Sequence, residues 1–176
     1  MVRTLRKNAL LLTALLLALV AGIGATGASF SWYDASHDDT ADFATARDDV
    51  LAAAKQGVQN LNTLDHADLD TGLDLWLDST TGDLHQQLEE GREAFEEQVR
   101  QAETVTTAEV LSGAVTELDE RAGRAGVMVA VRITVEAPEE DPATKTSRML
   151  GELTRTPEGW KLSGLDQAPV AYTAAG

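Results

Sequence analysis

The chain has 176 residues, no cysteine, and 29 acidic against 14 basic residues, so its formal net charge is −15. An acidic surface of this kind repels nucleic acid and anionic lipid headgroups, and the composition therefore predicts no binding to DNA or RNA. Without cysteine, the chain can form neither disulfide bonds nor a lipid-modified cysteine anchor. Three basic residues and no acids lie in residues 1–8, and the formal charge after residue 28 is −18.

The first predicted element is an apolar, uncharged segment at residues 9–28, which follows the basic leader 1–8. As a helix, the run 9–25 would rise about 25 Å, near the lower limit for crossing a hydrocarbon core. Because basic flanks stay in the cytoplasm, we expect a single-pass anchor with the remaining chain outside the cytoplasm, bound to the cell membrane through residues 9–25. Cleavage after Ala28, as in a secretory signal peptide, is the alternative.

Residues 29–40 are predicted to be a linker, residues 41–170 an extracytoplasmic domain and residues 171–176 a tail. Three helices with apolar stripes at the 3.6-residue period are expected at the start of the domain. The first stripe is Phe43, Val50, Ala54, Val58, Leu61 and Leu64, the second is Leu69, Leu73 and Trp76 or Leu77, and the third is Leu84, Leu88, Phe95, Val99 and Ala102. The second helix is expected to stop at Thr81-Gly82-Asp83, and Gly91 within the third costs about 1 kcal/mol relative to alanine.

After Glu103 the hydrophobic pattern changes to the alternation typical of strands. Residues 104–119 predict a strand that breaks near Gly113, and residues 127–137 alternate strictly, with valine and isoleucine on one side. A turn with two prolines and a second turn before Trp160 separate the remaining strands. Three helices followed by four or five strands joined by short turns predict an α+β fold, in which the helices pack on a curved antiparallel sheet.

Three motifs stand in order along this domain: LNTLDHADLD at 61–70, STTGDL at 79–84, and a tail with Arg148, the run Gly159–Leu162 and Leu165. With the N-terminal span, their order and spacing over residues 44–170 resemble the Mce-associated membrane proteins of actinobacteria. The resemblance implies a VirB8-like or NTF2-like domain. It also implies an accessory subunit of an Mce-type transporter, which imports lipids or sterols across the envelope. It implies no catalytic residue and no cofactor.

Candidates for metal binding and catalysis are few. The residues His37, His66 and His85 have acidic neighbours but no spacing that brings several ligands to one ion, so no metal site is predicted. Glu152 and Arg132 lie opposite the apolar strand faces and are expected to be exposed or paired. No nucleophile motif or phosphate-binding loop is present. We therefore predict that the chain is not an enzyme. A secreted NTF2-like enzyme remains a third hypothesis, after the two functional hypotheses given in the next paragraph.

Six residues are candidates for closing the core or for lining a cavity: Trp76, Phe95, Val129, Val131, Ile133 and Trp160. The acidic face of the third helix is either solvated or docks to a basic patch on a partner; it comprises Glu89, Glu90, Glu93, Glu96 and Glu97. The leading hypothesis is a membrane-anchored, non-enzymatic accessory protein that contacts the Mce transporter or other envelope proteins. The alternative is a module that holds a lipid or sterol in a cavity between sheet and helices.

Overall fold

The computed structural model describes residues 41–169. The predicted leader, apolar span, linker and tail, together with His37, lie outside the described residues. Within residues 41–169, none of the helices combines the length and the hydrophobicity that spanning a bilayer requires. A compact unit begins at Ala46 and contains all of the elements below except the first few residues of the first helix.

The described chain forms three helices and five strands. In order they are α1 (41–61), β1 (Leu64–Asp65), α2 (Leu69–Asp78), α3 (Gly82–Ala102), β2 (Val105–Asp119), β3 (Arg124–Glu136), β4 (Ala143–Thr156) and β5 (Gly159–Gln167). The strands form one sheet in the order β1-β2-β3-β4-β5, and every neighbouring pair is antiparallel. The predicted α+β fold, with three helices packed on a curved antiparallel sheet, is confirmed.

The sheet is bent by irregularities in its pairing. Strand β2 shifts register against β3 between Val110 and Ser112 and again between Val115 and Glu117. Such bulges increase the twist of a strand and bend it, which suits a sheet that curves around helices. The predicted break near Gly113 is wrong, because β2 continues through this residue. The glycine instead permits close approach of α1, since a Cβ atom here would lie 3.2 Å from the Leu51 Cδ1 atom.

The main core lies between α1 and one face of the sheet. Val127, Val129, Val131 and Ile133 alternate along β3 and are at most 7% exposed, as their period of two predicts. They pack in one cluster with α1 residues at the helical period and with two leucines of the last strands: Val50, Ala54, Val58, Leu153 and Leu162. Each fully buried aliphatic side chain contributes about 1.5–3 kcal/mol relative to an exposed one. This layer is a filled core.

Helix α1 ends earlier than its apolar stripe suggests. The prediction that Leu64 continues the helix is wrong, because Leu64 lies in β1 and pairs with Thr106 of β2. Helix α1 stops at residue 61, where the Asn62 side-chain amide donates a hydrogen bond to the Val58 carbonyl oxygen at 2.8 Å. That bond satisfies one of the carbonyl groups which a helix C-terminus leaves without a partner.

The turn between α2 and α3 is bonded to the edge of the sheet. Helix α2 ends at Asp78 and α3 begins at Gly82, so both boundaries fall slightly before the predicted ones. The Leu162 amide donates to the Ser79 carbonyl oxygen at 3.0 Å, and the Thr81 amide donates to the Leu162 carbonyl oxygen at 2.8 Å. These two bonds form a short parallel bridge between the turn and β5. The STTGDL motif therefore fixes the helical hairpin to the last strand.

Replacing Thr80 by valine is expected to lower the free energy of unfolding by about 1–2 kcal/mol, the usual cost of a buried polar group that loses its partner. Thr80 is 2% exposed, and its hydroxyl lies 2.9 Å from the Trp76 carbonyl oxygen and 3.2 Å from that of Leu77. Urea denaturation of the full-length protein measures the change. The matched control is Thr45→Val, because the exposed Thr45 hydroxyl makes the same kind of bond to Ala41 within α1. Equal losses in the two variants would contradict the prediction.

Candidate functional site: a groove between two exposed helices

Helix α3 lies on the outside of the domain, and none of its 21 residues is fully buried. Its first turn reaches the main core through Leu84, whereas Phe95 and Val99 pack against a separate small cluster. That second cluster consists of Leu64, Leu69 and Leu73 with Trp76 beside them. Ala102, which the sequence places on the apolar stripe, is exposed. The stripe is therefore covered only in part.

The two aromatic residues of the second cluster hold α2 against α3. The ring centroids of Trp76 and Phe95 are 5.2 Å apart with an interplanar angle of 41°. Such tilted pairs contribute about 0.5–1.5 kcal/mol beyond the area they bury. The Trp76 indole N–H donates to the Thr63 carbonyl oxygen at 3.2 Å, which ties α2 to the segment between α1 and β1. Gly72 lets Leu64 approach α2, since a Cβ atom would lie 2.5 Å from its Cδ1 atom.

Beside this aromatic pair, α2 and α3 form a groove of about 380 Å³. Its lining is apolar apart from two glutamines and one arginine, and the residues on each helix recur at spacings of three and four, so each set lies on one helical face. The lining residues are Leu73, Trp76 and Leu77 on α2, and Gln87, Leu88, Gly91, Arg92, Ala94, Phe95 and Gln98 on α3. The volume falls at the lower end of the range for small-ligand pockets.

Arg92 closes one side of the groove and links the two helices. Its guanidinium lies 2.7 Å from an Asp74 oxygen, 2.8 Å from a Glu96 oxygen and 3.5 Å from an Asp70 oxygen. The hydrogen bond to Asp74, followed by that to Glu96, raises the pKa of Arg92 above its ordinary value, and partial desolvation opposes this only in part. Arg92 therefore stays charged at every physiological pH. The cation is shared among three carboxylates of the hairpin.

Gly91 leaves an opening in the wall that α3 contributes. A Cβ atom built on this residue meets no heavy atom of the described chain within 4 Å, although Gly91 lies in the middle of a long helix. Glycine is the residue least favourable to a helix interior apart from proline. Packing of the domain does not require it here. Its effect on the structure is to keep the groove wide at this point.

Gly91→Ala is expected to raise the free energy of unfolding by about 0.5–1 kcal/mol, because alanine restricts the unfolded chain and favours the helix without a clash. Thermal and urea denaturation of the full-length protein measure this gain. Gly113→Ala is the comparison, since its Cβ would lie 3.2 Å from Leu51 and 3.3 Å from Lys55. A gain at Gly113 as large as that at Gly91 would show that free space is not the cause.

The six residues proposed for a core or cavity lie in three places. The β3 residues Val129, Val131 and Ile133 belong to the filled core, and none of them lines the groove between α2 and α3. Trp76 and Phe95 line the groove. Trp160 packs at the edge of the core beneath Arg155, whose guanidinium carbon lies 5.9 Å from the ring centroid. It lines a separate hollow of about 480 Å³.

The polar candidates are distributed over the surface and do not converge. Arg132 forms an ion pair with Glu109 on the outer face of the sheet, and Glu152 is exposed. His85 Nδ1 lies 3.1 Å from the Leu77 carbonyl oxygen, and His66 Nδ1 lies 3.6 Å from an Asp65 oxygen. Among residues 41–169, no three histidine, aspartate or glutamate side chains are grouped so that they could hold a metal ion.

Several groove residues were not predicted from the sequence. The sequence pattern indicated Gly91 only as a cost to helix stability, and it did not indicate Arg92, Ala94 or the glutamines Gln87 and Gln98. One signal was available, because a glycine in the middle of a long amphipathic helix has either a packing reason or a functional one. The packing reason is absent here, since a Cβ atom at Gly91 meets no described neighbour.

Comparison with known proteins gives a family and a fold. The family model described as "Uncharacterized protein Rv1363c/MT1408-like" matches residues 8–169, and no curated protein matches the chain. An IcmL-like type IV secretion system protein from Legionella pneumophila is similar in structure, with 12% identity, a TM-score of 0.56, and coverage of 69% of this chain and 91% of that one.

Two further solved structures share the arrangement. The VirB8 protein of Agrobacterium tumefaciens has 10% identity and a TM-score of 0.53, with coverage of 68% of this chain and 91% of that one. CagV, a VirB8 homologue of the type IV secretion system of Helicobacter pylori, has 14% identity and a TM-score of 0.53, with coverage of 69% and 98%. At such identities the likeness establishes the VirB8-like fold and nothing about activity.

Proposed function

The chain belongs to the "Uncharacterized protein Rv1363c/MT1408-like" family, and from this premise we propose that it is a membrane-anchored, non-enzymatic accessory protein of an Mce-type lipid or sterol transport system. In this proposal residues 9–28 form a single transmembrane anchor. The domain at 41–170 lies outside the cytoplasm and binds other envelope proteins. The observation that carries the proposal is the apolar groove on two exposed helices, outside the filled core.

The fold and the charge support an interaction domain. Two of the similar solved structures are described as proteins of type IV secretion systems. The polar candidates described above do not converge on a reaction centre. A domain with formal charge −18 after residue 28 is suited to partners with basic surfaces and avoids anionic lipid headgroups. The order of the motifs LNTLDHADLD and STTGDL supports the Mce assignment through the resemblance already given.

The alternative function is a lipid- or sterol-binding module with a cavity between the sheet and the helices. The packing of α1 on the sheet gives little support to such a cavity. Val129 and Val131 are 0% exposed and pack against Val50, Ala54 and Val58, so side chains fill the space between sheet and α1. An apolar ligand would have to occupy the groove between α2 and α3 instead. The volume of that groove, about 380 Å³, is at the lower end of the range for small-ligand pockets.

The test of the main proposal is affinity purification of the tagged full-length protein from native membranes in mild detergent. We expect subunits of an Mce transporter to co-purify. The control is an unrelated single-pass protein with the same tag, processed in parallel. Purification of the protein without any transporter subunit, at expression levels where it is intact and membrane-bound, would contradict the proposal.

The anchor is tested separately by N-terminal sequencing of the mature protein together with protease access to the domain in spheroplasts. An uncut chain, with its domain digested from outside, is the result expected of a retained anchor. A mature chain that starts near Ser29 would show that residues 9–28 are a cleaved signal peptide. That result would remove the anchor and leave the exported domain.

A further inference from the structure

We propose that the groove between α2 and α3 binds a cationic amphipathic helix of a partner protein, whose apolar side chains enter beside Gly91 and whose lysines or arginines contact the carboxylates along the groove. The inference rests on the proposed function, because it specifies the chemistry of the envelope partner. The shape of the groove, the free space at Gly91 and the distribution of charge on the hairpin support such a partner.

The shape of the groove suits a helix that lies between α2 and α3. The apolar lining runs along both helices, with Leu73 and Leu77 one turn apart on α2, and with Leu88 and Phe95 two turns apart on α3. A partner helix laid along such a groove presents anchors at positions i, i+3 or i+4, and i+7. Gly91 lies between the two α3 residues, at the point where a Cβ atom would meet no described neighbour. A large side chain of the partner can therefore enter here.

The charge of the hairpin determines which helix fits. Residues 69–102 contain nine acids and two arginines, a formal charge of −7. Glu90 and Glu97 are exposed on α3, four residues before and three residues after the lining residue Ala94, so both lie next to it on the helix surface. Glu97 also lies 3.4 Å from Arg100, in an exposed ion pair. Arg92, the arginine in the lining, is already paired with Asp70, Asp74 and Glu96. An approaching helix thus encounters an apolar surface with carboxylates along its side.

The same charge argues against the other occupants. Two copies of the hairpin would bring together formal charges of −7 each, which like-charge repulsion disfavours. An anionic lipid would place its headgroup among these carboxylates. A cationic helix instead exchanges its counterions and those of the hairpin for direct ion pairs at the edge of the groove, while its apolar face covers Trp76, Leu88 and Phe95.

The experiment uses the purified full-length protein in a neutral detergent and a fluorescein-labelled model peptide. The probe is a helical peptide of about 18 residues. Its leucines form one apolar stripe along the helix, and its lysines lie on both sides of that stripe. The control peptide has the same composition in a scrambled order, which removes the stripe and keeps the charge. We expect the striped peptide to bind at least about tenfold more tightly than the scrambled one. Equal affinities for the two peptides would overturn the proposal.

Gly91→Trp fills the opening in the groove and is expected to weaken binding of the striped peptide by about tenfold or more. The matched control is Leu75→Trp, which adds the same side chain to the hairpin at a position that is 47% exposed and outside the groove lining. Circular dichroism and the denaturation midpoint establish that both variants are folded. Unchanged binding in folded Gly91→Trp would overturn the proposal.

A second pair of variants changes only exposed side chains, so the role of charge can be tested even if Gly91→Trp fails to fold. The double variant Glu90→Lys/Glu97→Lys reverses charge beside the groove, whereas Glu140→Lys/Asp141→Lys reverses the same charge in the exposed turn between β3 and β4. We expect only the Glu90→Lys/Glu97→Lys variant to bind the striped peptide about tenfold more weakly. In that variant the affinity should also depend less on salt concentration. If the two double variants lose peptide affinity equally, the peptide is attracted by the net charge of the protein alone, and the proposal is overturned.

A sterol and a second copy of the chain, as other occupants of the groove, are tested by separate measurements. If Gly91→Trp abolishes binding of a fluorescent sterol and leaves binding of the striped peptide unchanged, the groove is a ligand site and the proposal fails. If benzoylphenylalanine at Gln98 crosslinks mainly to a second copy of the chain, the groove is a dimer interface and the proposal fails.

Failure of this inference can be separated from failure of the proposed function. Transporter subunits that still co-purify with folded Gly91→Trp would contradict the groove as the contact and leave the accessory function standing. If the wild-type protein recovers no transporter subunit but binds the striped peptide in a Gly91-dependent way, the accessory function fails and the chemistry of the groove stands.

Discussion

Truncation of Leu162 to alanine is expected to lower the free energy of unfolding by about 3 kcal/mol, in the range measured for buried leucines that leave a cavity. Leu162 is 1% exposed. Its side chain packs against Gly57 of α1 and Gly151 of β4, where a Cβ atom would lie 2.7 Å and 3.2 Å from it, respectively. Its backbone carries the bridge to the α2–α3 turn. The leucine therefore joins the main core, the sheet and the hairpin at one point.

Urea denaturation of the full-length protein, followed by far-ultraviolet circular dichroism, measures this loss. The matched control is Leu150→Ala, which makes the same exchange on the outer face of the sheet, where Leu150 is 37% exposed. We expect less than half of that loss for the control, because its side chain is partly exposed and its removal leaves no enclosed cavity. Similar losses at the two leucines would mean that Leu162 does not occupy a filled core.

The second large effect is expected from Gly57→Val, which should lower the free energy of unfolding by about 2–3 kcal/mol through overpacking. Gly57 lies where α1 crosses β5, and a Cβ atom would come within 2.7 Å of Leu162 Cδ1 and 3.2 Å of Leu162 Cγ. The leucine cannot move away easily, since it is itself buried on all sides. Thermal denaturation and urea titration measure the change.

Gly91→Val provides the comparison, because it places the same side chain in another helix interior with no described neighbour within 4 Å of the new Cβ atom. Valine is slightly better than glycine in a helix, so this variant should be neutral or more stable by a few tenths of a kcal/mol. The difference between the two variants isolates the steric cost at the crossing of α1 and β5. A loss at Gly91 equal to that at Gly57 would refute this explanation.

The fold could be predicted largely from residue periodicity. Strand β3 follows from the strict alternation of Val127, Val129, Val131 and Ile133, because one face of the sheet is buried and the other is not. Strand β1 could not be predicted. Leu61 and Leu64 have helical spacing, and only pairing with the distant residues Val105 and Thr106 decides that the second of them is extended. Local patterns contain no information about such long-range partners.

The candidate site could be predicted only in part, for a related physical reason. The apolar face of α3 is evident from Leu88 and Phe95, but the sequence does not show how much of it α2 covers. Trp76 contacts Phe95 while the neighbouring stretch stays open, and this depends on how the two helices pack at the second cluster. Trp160 illustrates the same limit, because its place at the edge of the core depends on α1.

The attachment of the hairpin is uneven, and this has a consequence for its motion. At one end the Ser79–Thr81 turn is hydrogen-bonded to β5. In the described structure, the half of α3 after Gly91 has apolar contacts to the small cluster of Leu64, Leu69 and Leu73 and exposed ion pairs of Arg92 to α2. Segments with few buried contacts open locally at lower free energy than the whole domain unfolds. Amide hydrogens of residues 92–102 should thus exchange with solvent through such openings, while those of 127–133 require global unfolding. The groove can widen while the main core stays intact.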